Sequence, residues 1–438
     1  MRELTELLLF RETGEHRLLD DFHLAVRDSW EGAHAAAGRL LRGLAAMAGE
    51  TGFYGNLWHD YLTSILVSDE NSYSLSAERR GAPDGTVRGF ALHDMAIFRE
   101  WFDADLTELA RKTGVPELSA AADYRADSYE GKIYSRRVRT AICELSLELA
   151  QAEDPERMLN ALEIFYRRIG VGTIGLHKAF RLRERDGRLQ IEPVTQIADV
   201  RLDDLVGYER AKQLLVDNTE AFLCGAPANN CLLYGDAGTG KSSSVKALAN
   251  TYYDRGLRII EVYRHELRYL HELIGRIKRR NYRFLLYMDD LSFEEFETDY
   301  KYLKAVIEGG LEKKPDNVLI YATSNRRHLI RESFSDKAKL SDDDVHRSDT
   351  VQEKLSLFDR FGLTIYYGAP TPLEYREIVR VLAEREGVRL SGEELLAEAN
   401  RWQLKHAGYS GRTARQLIDD LVGKEVLAGT RPGEEQHV

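Results

Sequence analysis

Cysteine is scarce in this chain of 438 residues; three are present, Cys143, Cys224 and Cys231. Their odd number and the lack of any C-x-x-C spacing argue against a disulfide framework and against a zinc site, and the three read as reduced packing residues. No apolar run approaches the roughly twenty residues that a membrane-spanning helix needs. The N-terminal stretch "MRELTELLLFRETGEH" carries a short apolar run flanked by glutamates, without the basic region or the length of a secretory signal, so a cytoplasmic protein is expected. An excess of positive charge is also missing. The net charge is −11, which gives no global attraction to nucleic acid. Neither internal repeats nor low-complexity tracts are present. What remains is a globular composition, 43% hydrophobic and 30% charged, in a chain long enough for two or three domains of about 150 residues.

The most informative stretch is "CLLYGDAGTGKSSSVKALA", Cys231 to Ala249. An apolar run, a glycine-rich bend and a helix-forming segment follow one another, which reads as strand, loop and helix start. The backbone N–H groups of such a loop and the positive end of the helix make a concave oxyanion site. The spacing Gly235-x-x-x-x-Gly240-Lys241-Ser242 matches the phosphate-loop pattern. In that pattern the lysine reaches the terminal phosphates and the hydroxyl ligates Mg²⁺. The implied guests are ATP and Mg²⁺, cradled by Gly235, Asp236, Ala237, Gly238, Thr239, Gly240, Lys241, Ser242 and Ser243. The plainer alternative is a glycine turn before an ordinary helix.

Downstream, "RFLLYMDDLSFEE" has five apolar residues among the six before Asp289 and reads as a buried strand ending in two acids. Ligands of open α/β sheets sit beyond the carboxyl ends of the strands, which suits Asp289 to Mg²⁺ and Asp290 to polarising the attacking water. The alternative is a pair of acids capping a turn. "NVLIYATSN" ends in the same way at Asn325, a bridge between the γ-phosphate and the water. With "CLLY", "LRIIEV" and "GLTIYYG" these segments make five short apolar strands separated by helices, the pattern of a parallel doubly wound sheet.

From about Arg201 onward the chain resembles the AAA+ ATPase superfamily. "RLDDLVGYERAK" looks like the box preceding the phosphate loop, which implies that Val206, Gly207 and Tyr208 pack the adenine. "GDAGTGKS" resembles Walker A, "LLYMDD" Walker B and "ATSN" sensor 1. "FDRFGL" resembles the box that carries an arginine finger, which puts that role on Arg360 and implies a homo-oligomer in which Arg360 acts in trans. "SGRTARQLIDDL" resembles sensor 2 at Arg412, with Arg415 as the fallback. Many members of the superfamily end Walker B in Asp-Glu, whereas here it is Asp-Asp, one methylene shorter, with Glu294 or Glu295 as less favoured substitutes for the base. The phrases "DDLSFEE", "LSLFDRFGLT" and "SGRTARQ" are similar to those of a bacterial P-loop ATPase family catalogued only as a domain of unknown function. That resemblance extends to "YGNLWHDYLTSILVSDEN" near the N-terminus.

The expected fold is therefore an α/β AAA+ module at 195–370, a five-stranded parallel sheet flanked by helices. A helical lid at 371–430 and a tail at 431–438 follow it. Thr371 with Glu374, and Ser391 with Glu394, are capping boxes that start two lid helices, the first with Pro372 at its opening position. Residues 1–190 carry helix-period apolar positions and form a mostly helical domain ending in a hairpin around Asp186-Gly187. Trp30, Trp58 and Trp101 read as core anchors. His265 and His271 lie six apart, roughly 240° around a helix, and so do not share a metal face. The interval "YRHELRYLHELIGRIKRRNY" reads as a helix, where threading members of the superfamily carry an aromatic-aliphatic-glycine loop. The charged segment 326–354 reads as a solvated loop, with contact to a client or neighbouring subunit as the functional alternative. Three functions compete: an ATPase driving change in an oligomer or a protein client, an initiator- or helicase-loader-like switch on nucleic acid, and a nucleotide-gated scaffold that binds ATP and barely turns over. The second rests on Asp289-Asp290 and on the basic cluster "GRIKRRNYR" with Tyr282.

Overall fold

The computed structural model describes residues 2–11, 18–81, 83–125, 131–185, 187–292, 299–308, 315–325, 360–406 and 408–428. Two compact units are present, Met1–Lys178 with Glu192–Gln196, and Ala179–Ile191 with Ile197–Val438.

The second unit is built on seven strands: β1 (Ala179–Arg185), β2 (Arg188–Pro193), β3 (Cys231–Gly235), β4 (Leu257–Glu261), β5 (Arg283–Met288), β6 (Val318–Ser324) and β7 (Leu363–Tyr367). Their order across the sheet is β2-β1-β4-β5-β6-β3-β7. β4, β5, β6, β3 and β7 are the five expected strands, and all their pairings are parallel. β3, β4, β5 and β6 are buried on both faces over most of their length, which is why they read as apolar runs, whereas β7, at the edge, alternates buried and exposed residues. One face packs the helix Lys241–Tyr252 through Val245, Leu248 and Ala249, and the helix Glu209–Leu223 through Ala211, Leu215 and Phe222. Burying a side chain such as Leu233 or Leu248 completely contributes about 1.5–3 kcal/mol.

The hairpin departs from expectation. Its first strand pairs in parallel with β4, Ala179 opposite Ile259 and Phe180 opposite Ile260, so it extends the sheet to seven strands and does not close the helical domain. The physical reason lies in β4, which without β1 would be an exposed edge of buried apolar residues.

Strand order also locates the site. The chain leaves β3, and its next strand, β4, lies beyond β6 and β5, while the other neighbour of β3 is β7. Connections diverge at the carboxyl end of β3, the switch point where open α/β sheets bind ligands. Between β4 and β5 the chain forms the 3₁₀ turn Arg264–Tyr269 and the helix Leu270–Ile277.

Three helices follow β7: Pro372–Glu386, Gly392–Lys405 and Gly411–Leu427. The two capping boxes form as read, Thr371 with Glu374 and Ser391 with Glu394, and Ser410 caps the third helix. Their shared core includes Tyr375, Val379, Ala399, Leu417 and Ile418, with Val206 packed against it.

The first unit is helical. Trp58 and Trp101 are fully buried, and the Trp58 indole N–H donates to the Trp101 carbonyl at 2.9 Å. Trp30 is not a core residue; it is 61% exposed, with its ring stacked on His34 one helical turn away. Asp60, on the buried helix Leu57–Ser68, is 2% exposed, and one of its oxygens has no hydrogen-bond partner among the described residues. Burial pushes its carboxyl up to about 7, and a hydrogen bond from Ser146 only partly offsets this.

An acid with a raised native pKa binds more protons folded than unfolded between about pH 4 and 7, so stability falls as pH rises through that window and then levels off. The shift is equivalent to at most about 4 kcal/mol. Asp60→Asn removes the titrating group, so its melting temperature should change less than wild type between pH 5 and 8 and be the higher of the two at pH 8. Equal pH dependence of thermal unfolding in the two proteins would show that Asp60 titrates normally.

Candidate nucleotide site

Glycine is required at position 235 by the neighbouring strand. Gly235 has φ +134°, and a Cβ there would lie 2.1 Å from the Tyr367 carbonyl oxygen of β7. The next residue exploits the same contact. Asp236 N–H donates to the Tyr367 carbonyl at 3.0 Å, and its carboxylate accepts from Ala369 N–H at 2.7 Å. The loop is thereby fastened to the segment that leads into the lid.

The Lys241 ammonium lies within the loop, donating to the carbonyls of Gly235 at 3.0 Å and Asp236 at 2.5 Å. Thr239 donates its hydroxyl to the same Asp236 carbonyl. Burial pushes the Lys241 pKa down and Arg412 adds to this, while Asp236, Asp290 and Asp289 pull it up. The lysine is thus a buried cation among acids, suited to a polyanion. Ser242 and Ser243 follow it in the first turn of the helix, and Ser244 closes that turn by donating to the Gly240 carbonyl while accepting from the Tyr367 hydroxyl.

The ends of β5 and β6 and the start of the phosphate-loop helix meet at Asp289. Its Oδ1 accepts from the Ser242 hydroxyl at 2.6 Å and from the Thr323 hydroxyl at 2.6 Å. Burial acts to raise its pKa, but the hydroxyls of Ser242 and Thr323, aided by Tyr287 and Lys246, outweigh burial and hold the carboxyl below its ordinary value. An ionised carboxylate beside a hydroxyl is the hard oxygen donor set that Mg²⁺ takes alongside phosphate and water. The residues present therefore fit the metal. Asp290, at φ +48°, accepts from the Asn325 amide at 2.8 Å. Glu294 and Glu295 lie outside the described residues.

The box before the loop is held between the sheet and the lid. Tyr208, at φ +60° before the helix Glu209–Leu223, stacks on Tyr367 with centroids 5.2 Å apart and donates its hydroxyl to the Gly368 carbonyl at 2.9 Å. Val206 lies against the lid core, and Gly207, at φ +83°, joins the two. From the lid, Arg412 N–H donates to the Gly238 carbonyl at 3.1 Å, and a Cβ on Gly238 would crowd Ser410 and Arg412. Arg415 pairs instead with Glu386 and Asp419, which favours Arg412 as the lid arginine facing the loop. Arg360 stands apart from this group, ion-paired with Glu308 at the end of the helix Tyr300–Glu308, and its Nε is buried without a partner among the described residues. The charged segment 326–354 lies outside the described residues.

Reading the sequence missed Asp236, Tyr208 and Thr323 as connectors. The available signal for Thr323 was a polar residue inside an apolar strand. Elsewhere the structure removes a feature: Tyr282, the aromatic of the basic cluster, is 8% exposed, with the guanidinium of Arg258 4.2 Å from its ring centre. Among the described residues no group of His, Cys, Asp and Glu side chains is arranged to hold a metal ion on its own.

A phosphate loop at the end of β3, between β6 and β7, with paired acids just after β5 and a helical lid, defines a P-loop module of the AAA+ class. Residues 175–425 match the model of a family described as Protein of unknown function (DUF815), and the chain belongs to that family. The match begins just before β1 and includes the lid, whereas the helical first unit, with "YGNLWHDYLTSILVSDEN", lies outside it. A stretch of 69 residues is 39% identical to the replication factor C large subunit of Staphylothermus marinus, covering 16% of each chain, so this chain spans about a sixth of that relative. Among solved structures, the Thermotoga maritima RuvB Holliday junction branch migration motor is similar over 53% of this chain and 67% of that one, at 16% identity and a TM-score of 0.37. A point mutant of the same motor is similar to the same extent.

Gly235→Ala forces a Cβ onto the Tyr367 carbonyl in a conformation that L-residues avoid. It should destabilise this unit by about 2–4 kcal/mol and weaken nucleotide binding. Urea unfolding and calorimetric titration with ATP measure the two effects; an alanine variant with wild-type stability would mean that β7 does not hold the loop in this way.

Proposed function

We propose that this chain binds and hydrolyses ATP with Mg²⁺ and uses the cycle to drive conformational change in an oligomer or in a bound protein client. The observation that carries the reading is the meeting of Ser242, Asp289, Asp290 and Asn325 at the carboxyl ends of neighbouring strands, beside a lysine-bearing phosphate loop. Lys241 exchanges the carbonyls of Gly235 and Asp236 for the terminal phosphates. Ser242 and Asp289 hold Mg²⁺, which supplies charge neutralisation to the phosphates. Asp290 draws the proton of the attacking water while Asn325 fixes the orientation of its carboxylate. Arg412 meets the phosphates from the lid of the same subunit, and Arg360 acts on the nucleotide of a neighbour.

A client protein is favoured over nucleic acid. The burial of Tyr282 leaves the basic cluster without an exposed aromatic platform, which weakens the initiator- or helicase-loader-like alternative. A gel shift at low salt with single- and double-stranded DNA separates the two; salt-sensitive binding would reinstate the alternative. No helix of the described residues is long and apolar enough to cross a membrane, and the reading places the protein in the cytoplasm, with its ATP.

Lys241→Ala should weaken ATP binding about 10²-fold or more, whereas Asp290→Asn should bind Mg·ATP within a few-fold of wild type and lose about 10²–10⁴ in turnover. Calorimetry and phosphate release report these separately, and near-normal release by Asp290→Asn would move the base elsewhere. For Arg360→Ala, turnover should fall about 10³–10⁵-fold with ATP binding intact. Wild-type activity per subunit should rise with protein concentration, and mixing the Arg360→Ala and Lys241→Ala proteins should restore part of it. Constant specific activity in a monomer, with a fully active Arg360→Ala, would end the oligomeric reading.

A further inference from the structure

Thr323 is 1% exposed at the penultimate position of β6, where Met288 of β5 pairs with the preceding Ala322. Its hydroxyl donates to Asp289 Oδ1 at 2.6 Å and accepts from Asp290 N–H at 2.9 Å. Its carbonyl accepts from Leu291 N–H at 2.7 Å. Three successive residues after β5 are therefore held by one residue of the adjacent strand. The grip matters most at Asp290, whose φ of +48° is rarely adopted by residues other than glycine, asparagine and aspartate. A valine matches threonine in shape and suits a strand, so packing alone does not call for the hydroxyl.

We infer that Thr323 is a positioning residue for hydrolysis: its single hydroxyl aligns Asp289 with Ser242 as oxygen donors to the divalent cation and holds the Asp290 peptide so that its carboxylate faces the attacking water. Thr323 acts through these two acids and touches neither phosphate nor metal. The inference rests on the proposed ATPase reading and extends it.

The test compares Thr323→Val with Thr323→Ser in the full chain, using ATP binding in EDTA, Mg²⁺ titration of the ATP-loaded protein, and steady-state kcat and KM. The valine variant should bind ATP in EDTA within about twofold of wild type and need about tenfold more Mg²⁺ for half-saturation. Its kcat should fall about 10²-fold with little change in KM. Serine, which keeps the hydroxyl and loses the methyl, should restore both properties to within about threefold of wild type. A purely structural role predicts the reverse order, valine near wild type and serine impaired, and that result overturns the inference. If valine folds poorly, Thr323→Ala, which adds no bulk, asks the same question. A wild type that binds Mg·ATP without turnover still decides the matter through the Mg²⁺ titration. A wild type that binds no ATP overturns the underlying reading and the inference with it, an outcome distinct from a normal wild type paired with a normal valine variant.

Discussion

A carboxylate at the end of a buried strand is costly to keep charged, and the nucleotide site is organised around meeting that cost at Asp289. Two hydroxyls reach one of its oxygens, Ser242 from the phosphate-loop helix and Thr323 from β6. Each hydrogen bond to a charged group contributes about 1.5–3 kcal/mol, so together they offset the several kcal/mol of desolvation that would otherwise protonate the acid. The same two bonds tie three elements that are far apart in sequence and fix the distance between loop and acid pair. The electrostatic requirement of one side chain and the geometry of the site are thus a single constraint.

A second set of bonds links the loop to the C-terminal helices. Lys241 and Thr239 both donate to the Asp236 carbonyl, while the Asp236 carboxylate holds Ala369 N–H, two residues before the cap of the first lid helix. Tyr208 grips Gly368 on the same segment, and Arg412 N–H returns from the last lid helix to Gly238. In the proposed ATPase, a lysine leaving Asp236 for a phosphate would change the partner of a residue bonded directly to the segment before the lid. Asp236 stands where a backbone turn alone would suffice to hold phosphate. Its side chain ties the loop to the segment leading into the three C-terminal helices.

How much of this could be read beforehand depended on the range of the interaction. The four largely buried strands and the capping boxes are local patterns, and they form where Leu233, Leu285, Thr371 and Ser391 indicate. The acids at the end of β5 were legible because a buried apolar run that stops at two charges marks the point where a strand leaves the core. The hairpin was legible as a hairpin but was assigned to the wrong unit, since nothing within residues 179–193 says that β4 offers an edge. Trp30 was misread because its burial depends on what packs over it, and a large apolar side chain alone does not reveal that. Thr323, Asp236 and Tyr208 escaped for a related reason. Their partners lie roughly 35, 130 and 160 residues away, and no periodicity encodes such pairings.

Arg360 poses the remaining energetic question, because in this chain it is already paired. Its partner Glu308 is partly exposed, with side-chain accessibilities of 26% and 38% for the two residues. Screened pairs of that kind contribute about 0–1 kcal/mol. The buried Nε without a partner among the described residues lowers the net value of the arrangement further. Against this, a guanidinium delivered to a γ-phosphate lowers the barrier by roughly 4–7 kcal/mol in the proposed oligomer. Release from Glu308 is therefore a small fraction of what the trans role returns, and the ion pair is compatible with that role. It also gives the arginine a defined resting position on its own subunit. In the proposed oligomer, a neighbour's triphosphate would have only to outcompete a single, partly solvated carboxylate.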